Sequence, residues 1–201
     1  MLKLGLTGGI ASGKSAVAAM LREMGFSVLD ADSVAHRLME PGQAAHDEIL
    51  QEFGAAVADT NGRIDRAKLS SLVFADATKL AKLNAILHPR VEQFILRQFA
   101  DWERGGVRDA VFVEAALVIE AGFTRHLDGL VVAWCEPQQQ IERLRSRGMT
   151  EADARLRMAA QMPGEEKLRH ATETIDCSGS MAETRAQVQA LAARIRKRTS
   201  A

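Results

Sequence analysis

Two cysteines, Cys135 and Cys177, are all that a chain of 201 residues carries, and they lie far apart without C-x-x-C spacing. That scarcity excludes a disulfide framework and a cysteine zinc site, and it suits a reducing compartment. An excess of charge of either sign is also missing, because 26 Lys plus Arg balance 26 Asp plus Glu. No overall field therefore draws the chain to nucleic acid or to a membrane surface. The basic run Arg194-Ile195-Arg196-Lys197-Arg198 reads as a solvated helix end, where cations are favoured. Uninterrupted apolar runs of the length that spans a bilayer, about 18 residues, do not occur. The apolar start at Met1 flows directly into a glycine-rich loop, so no signal peptide is expected. Internal repeats and low-complexity linkers are absent too. The expectation is one domain over residues 1–201, cytoplasmic, monomeric or weakly homo-oligomeric, with neither nucleic acid nor membrane as partner.

What the chain does have, at its start, is Gly8-Gly9-Ile10-Ala11-Ser12-Gly13-Lys14-Ser15, a complete G-x-x-x-x-G-K-[ST] loop. The apolar run Leu2–Thr7 before it predicts a strand, and the apolar spacing from Ser15 to Met24 predicts a helix closed by Gly25. Glycines let the backbone curl so that successive N–H groups point inward at an anion, and the following helix adds the positive end of its dipole. In this frame Lys14 reaches β- and γ-phosphates and the Ser15 hydroxyl holds Mg²⁺. The sequence thus predicts binding of ATP or GTP. A guanine-reading Asn-Lys-x-Asp is absent, and the two Asp-x-x-Gly matches, at Asp59 and Asp176, fall in unsuitable places for a GTPase switch.

Further along, strands and helices alternate. A second strand is predicted at Phe26–Leu29, a third at Ala110–Val113, a fourth at Leu130–Trp134 and a short fifth at Glu173–Asp176. The continuous apolar runs of the third and fourth suit parallel strands buried on both faces. Residues 33 to 102 are helical in pattern, with breaks expected at Glu40-Pro41-Gly42, Asp59-Thr60-Asn61-Gly62 and His88-Pro89. That is far more than a crossover needs. Helices are expected from Pro137 through Arg147, from a capping signal at Thr150 to Pro163-Gly164, and from about Ala182 onward. The predicted fold is α/β, an open five-stranded parallel sheet with helices on both faces and a helical insertion.

In such sheets ligands gather beyond the carboxyl ends of the strands. The second strand ends in Asp30-Ala31-Asp32 and the third in Glu114. Asp32 is placed to orient and deprotonate an alcohol, yet Asp before Ser33 is also a helix-capping pattern, and the residues alone leave both roles open. Arg143 and Arg147 stand one helical turn apart and suit a clamp on a phosphoryl group. A plain charged surface helix explains that spacing as well. His36, His46, His126 and His170 show no partner pattern, and His88 before Pro89 fits a turn.

Taken together, Leu6–Ser15, Val28-Leu29-Asp30-Ala31-Asp32, Glu40-Pro41-Gly42, Leu87-His88-Pro89, Gln140-x-x-Arg143-x-x-x-Arg147, Gln161 and Ile175-Asp176 resemble the dephospho-CoA kinase family, in order and over nearly the whole chain. The resemblance implies a P-loop kinase of the nucleoside-monophosphate-kinase-like type that moves the ATP γ-phosphoryl, with Mg²⁺, onto the ribose 3′-hydroxyl of dephospho-CoA. It implies catalytic roles for Asp32, Lys14 and Arg143, and metal binding by Ser15 and Asp32. Nucleotide contacts fall to Gly8, Gly9, Ala11, Ser12, Gly13, Lys14, Ser15, Ala16, Arg143, Arg147 and Asp176. Acceptor contacts fall to Thr7, Asp32, His88, Leu117 and Glu120. Residues 33–104 become the CoA-side subdomain and 138–164 a helical lid. The chain departs from the family pattern at Ala11, where glycine is usual, at Glu114 and Ala116, where aspartate and proline are usual, and at Cys177, where asparagine is usual.

Overall fold

The computed structural model describes residues 1–199. The elements run β1 (Lys3–Thr7), α1 (Lys14–Glu23), β2 (Ser27–Asp30), α2 (Ala31–Leu38), α3 (His46–Phe53), α4 (Arg66–Phe74), α5 (Ala77–Arg104), β3 (Val111–Glu114), β4 (Gly129–Trp134), α6 (Pro137–Arg145), α7 (Glu151–Ala159), α8 (Gly164–Arg169), β5 (Glu173–Asp176) and α9 (Met181–Thr199). The chain divides into two compact units, one formed by Met1–Asp30 with the chain from Phe99 onward, the other by Ala31–Gln98.

The first unit holds a five-stranded sheet in the order β2-β3-β1-β4-β5, parallel throughout. Alternation along each strand builds its core. Leu4, Leu6, Phe112, Val131, Ala133 and Ile175 share one cluster with Val17 and Leu21 of α1 and Val188 and Leu191 of α9. The intervening residues Val111, Val113, Leu130 and Val132 are buried as well, so both faces of the sheet are covered. Phe26 meets Phe112 edge-on, with centroids 5.5 Å apart and planes at 81°, a favoured aromatic geometry. β1 is central, and β3 and β4 flank it. The chain leaving β1 therefore enters the crevice where the sheet's strand order reverses, and that position is what makes the site.

The second unit is helical and packs around its own core, which includes Ile49, Val57, Leu69, Val73, Ile86 and Leu87. His88-Pro89, predicted as a break, lies inside the 28-residue α5. Proline removes one helix hydrogen bond and costs about 3 kcal/mol, but Ile86 and Leu87 just before it are anchored in this core. Next to it, the Arg90 guanidinium donates to the Ile86 carbonyl at 2.6 Å and to the Ala44 carbonyl at 3.1 Å, and pairs with Glu48. Burial overrides the local signal.

Three other expectations shift. β2 begins one residue late because Phe26 is drawn into the sheet core. α6 stops at Arg145, before the left-handed Gly148 (φ +85°), so Arg147 lies in the turn beyond the helix rather than on its face. Pro163-Gly164, expected to end a helix, instead opens α8, since proline is tolerated where a helix begins. The Thr150 cap is as expected: its hydroxyl accepts the Asp153 N–H at 3.1 Å. Among the described residues no helix is long and apolar enough to cross a membrane.

His46 is buried at the start of α3. Its Nδ1 stands 2.7 Å from Asp47 Oδ1 and its Nε2 2.9 Å from the Gly62 carbonyl. Both partners are acceptors, so the geometry favours donation from both ring nitrogens, the imidazolium form. The Asp47 hydrogen bond, helped by Gly62 and the charge of Glu40, raises its pKa. A raised folded-state pKa gives stability that is complete below the unfolded value of about 6.5 and lost as pH rises through the folded value. We expect thermal melts to show a loss of stability as pH rises past the ordinary histidine value of about 6.5. The loss should be absent in His46→Gln; an identical pH profile in that variant would contradict the assignment.

Candidate active site

The loop that leaves β1 is shaped by what its glycines face. A Cβ on Gly8 would lie 2.2 Å from the Ala133 carbonyl oxygen of β4, and one on Gly13 (φ +111°) would lie 2.7 Å from Cys177 Cβ. Gly9 packs under the Gln140 amide, where a Cβ would come within 2.5 Å of Nε2. Glycine is required at Gly8 by the β4 backbone and at Gly13 by its left-handed φ and Cys177 Cβ, whereas at Gly9 only the mobile end of Gln140 stands in the way. Ala11 is different: it carries a Cβ and still sits at φ +58°, alone among the described non-glycine residues in having a positive φ. A left-handed alanine costs roughly 1–2 kcal/mol, so something must hold it.

Two side chains do. Arg143 Nη1 donates to the carbonyls of Ala11 at 3.1 Å and Ser12 at 3.3 Å, while Nη2 donates to the Cys177 carbonyl at 2.6 Å. From the other direction, Gln161 Oε1 accepts the Ile10 N–H at 2.9 Å. The guanidinium fork therefore fastens the loop's outer edge to the end of β5. The contacts of Arg143 are loop carbonyls; sequence spacing had suggested a phosphoryl clamp. Cys135 and Cys177 flank this arginine as buried residues. Burial and the neighbouring Cys135 push the Cys177 thiol up to about 11, so it packs as a neutral group. Asparagine at that position would present a polar head to Gly13; cysteine presents a small apolar one.

At the carboxyl edge of the sheet, Asp30, Glu114 and Leu6 lie side by side in register. Glu114 is 3% exposed, and two cations compensate its charge. Lys14 Nζ donates to Oε1 at 3.0 Å, and Arg22 Nη2 donates to Oε2 at 3.3 Å. The loop lysine is thus held beside the loop mouth by a carboxylate that sequence reasoning marked only as a strand end. Its partner became visible with the β1–β3 pairing. Ser15 is exposed in the first turn of α1, and Gly13 at the helix start offers no capping side chain. Ala16 donates its N–H to the Gly13 carbonyl at 3.0 Å.

Thr7 is fully buried and its hydroxyl donates to the Ala116 carbonyl at 3.2 Å. Leu117 and Glu120 lie on the connection after β3, where Glu120 Oε1 accepts from Lys167 Nζ at 2.7 Å and from Met162 N–H at 2.9 Å. Asp176 ends β5, its Oδ1 accepting the Ser178 N–H at 2.8 Å. Asp32 lies in the first turn of α2, directly after β2, and His88 lies within α5, both in the second unit. Gln140, read only as part of the family pattern, and Glu114, read only as a strand end, gain contacts here that their spacing did not assign, and Lys167 belongs to no periodic pattern that would mark it.

Ala11→Gly removes the strained Cβ at the loop apex. Relief of about 1–2 kcal/mol, set against a glycine entropy cost of about 0.5–1 kcal/mol, predicts a net stabilisation. Denaturant midpoints check it: we expect a rise for Ala11→Gly and a fall for Ala11→Val. A lower midpoint for glycine would show that the left-handed turn is not strained.

A family model described as "Dephospho-CoA kinase" matches residues 2–183. The chain is 43% identical to the dephospho-CoA kinase of Geobacillus kaustophilus, over 94% of each chain. It is 38% identical to that of Corynebacterium glutamicum, over 97% of this chain and all of the relative. Among solved structures, TT1252 from Thermus thermophilus aligns with a TM-score of 0.80 at 34% identity, covering 96% and 97% of the two chains. Dephospho-CoA kinase from Campylobacter jejuni aligns at 0.71 and 26%, covering 97% of each. A shikimate kinase from Bacteroides thetaiotaomicron shares the fold at a TM-score of 0.53 and 14% identity. With a family model that matches residues 2–183 and relatives 38–43% identical over nearly the whole chain, this chain belongs to the dephospho-CoA kinase family.

Proposed function

We propose that this protein transfers the γ-phosphoryl group of ATP to the ribose 3′-hydroxyl of dephospho-CoA, giving coenzyme A and ADP, the last step of coenzyme A synthesis. The observation that carries the reading is a complete phosphate loop at the end of the central strand, in a chain that matches the family over residues 2–183.

The loop from Gly8 to Ala16 holds the nucleotide phosphates with backbone N–H groups and the start of α1. Lys14 swings from Glu114 Oε1, 3.0 Å away, to share its ammonium with the β- and γ-oxygens. Arg143 keeps the loop edge in place, Arg147 adds positive charge nearby, and Asp176 with its turn borders the base. Mg²⁺ brought in with ATP would supply positive charge against that of the transferring phosphoryl group. Magnesium keeps most of its waters and takes few protein ligands. That habit fits a lone exposed hydroxyl on Ser15, with the Asp32 carboxylate holding part of the water shell. Among the described residues no cluster of three His, Cys, Asp or Glu forms a dedicated cage.

Asp32 acts as the base, orienting the acceptor hydroxyl and taking its proton as the new bond forms. Thr7, whose hydroxyl is committed to Ala116, shapes the acceptor wall; Leu117, Glu120 and His88 contact the acceptor. The helical region 33–104 binds the pantetheine-bearing end. Segment 138–164 closes as a lid to keep water from the γ-phosphoryl. A cytoplasmic location and a monomeric or weakly homo-oligomeric state complete the proposal.

The test is a panel of acceptors with ATP and Mg²⁺: dephospho-CoA, AMP, CMP, shikimate, gluconate and water. Dephospho-CoA is expected to exceed the others by orders of magnitude, and a better rate with any other acceptor overturns the substrate. In the same assay Asp32→Asn should lose about 100-fold or more in turnover, the scale of a positioned base, while ATP binding changes little. Asp30→Asn is the control and should lose far less; the reverse order would move the base to Asp30.

A further inference from the structure

Among the described residues, Lys167 is a lysine with no exposure at all. A charged ammonium leaves water only where it is paired and hydrogen-bonded. Its Nζ donates to the Ala116 carbonyl at 2.8 Å and to Glu120 Oε1 at 2.7 Å. Each of those oxygens has a second donor: the Thr7 hydroxyl at 3.2 Å on the Ala116 carbonyl, and the Met162 N–H at 2.9 Å on Glu120 Oε1. The residue before Met162 is Gln161, whose Oε1 holds the Ile10 N–H of the phosphate loop at 2.9 Å. Two consecutive residues, Gln161 and Met162, therefore grip the phosphate loop with a side chain and the connection after β3 with a backbone N–H.

We propose that Lys167 is a positioning residue for phosphoryl transfer, setting the spacing between the phosphate loop that holds the donor and the Ala116–Glu120 segment that meets the acceptor. The proposal rests on the reading of that segment as the acceptor side. The chain of causes is short. The ammonium fixes the Glu120 carboxylate, which is near enough to the surface to turn into water once unpaired. Glu120 fixes Met162, and Met162 fixes the position from which Gln161 reaches Ile10. Without the cation both loops keep their own folds but lose their common reference. Misplacement by about 1 Å is enough to cost on the order of 100-fold in rate.

Lys167→Met keeps the length and apolar stem and removes the charge. Three readouts separate positioning from plain stabilisation. Turnover with dephospho-CoA should fall about 10- to 100-fold, with the affinity for a non-hydrolysable ATP analogue nearly unchanged. More ATP should be hydrolysed per acceptor phosphorylated, because donor and acceptor are out of step. Amide exchange at Ile10 and Met162 should accelerate together. A folded Lys167→Met protein with wild-type turnover and coupling overturns the proposal, as does unchanged exchange at Ile10. If Lys167→Met does not fold, Lys167→Gln, which is neutral and one atom shorter, carries the same measurements; failure of both to fold makes the residue a core stabiliser and overturns it too. A wild-type protein inactive on dephospho-CoA would sink the functional reading instead, while the exchange at Ile10 would still decide whether Lys167 ties the two loops.

Discussion

A phosphate loop is a strained object, and in this protein the strain is concentrated at one residue. Ala11 adopts a left-handed conformation that glycine would take freely, and the Arg143 guanidinium holds the two carbonyls that follow from it. The same fork reaches the Cys177 carbonyl, so one side chain joins the loop, α6 and the end of β5. Arginine suits this because its planar fork presents several donors in fixed directions. Lysine, a single flexible point, would satisfy one carbonyl and leave the others to water. The remaining parts of the site take their positions from this fastened edge: Gly13 packs on Cys177, and Gly9 packs beneath Gln140 of the same helix that carries Arg143.

The opposite edge of the loop is electrostatic. Glu114 sits almost fully buried between Lys14 and Arg22. A buried carboxylate with one cation removed is severely destabilised, which is why two cations surround this one. In the proposed reaction, where Lys14 turns toward phosphate oxygens, Arg22 remains to compensate Glu114. The long side chain of glutamate carries the carboxylate to both partners.

Much of this was legible in the residues, and what was not has identifiable causes. The loop motif, the strand before it and the helix after it are local features, and local chemistry fixes them. β3 and β4 announce themselves by continuous apolar runs, and Thr150 by its cap. Pro89 misleads because a single proline signals a break, whereas Ile86 and Leu87 hold α5 continuous through burial that no short window contains. α8 was hidden because Pro163-Gly164 reads as a stop and serves as a start. Arg147 was assigned to a helical face on spacing that Gly148 interrupts. Glu114, Gln161 and Lys167 act through partners about 100, 151 and 47 residues distant in sequence, and such pairs appear only once the sheet is assembled.

Whether Arg143 holds a loop that alanine strains is tested directly by a double-mutant cycle. Affinity for a non-hydrolysable ATP analogue would be measured in the parent, Arg143→Met, Ala11→Gly and the double variant. If the arginine restrains a left-handed alanine worth about 1–2 kcal/mol, Arg143→Met should weaken binding by about tenfold beside Ala11. Beside glycine, which needs no restraint, the loss should be only a few-fold. Equal losses in both backgrounds would mean that the guanidinium and the strained residue are independent, and the account would be wrong at its foundation.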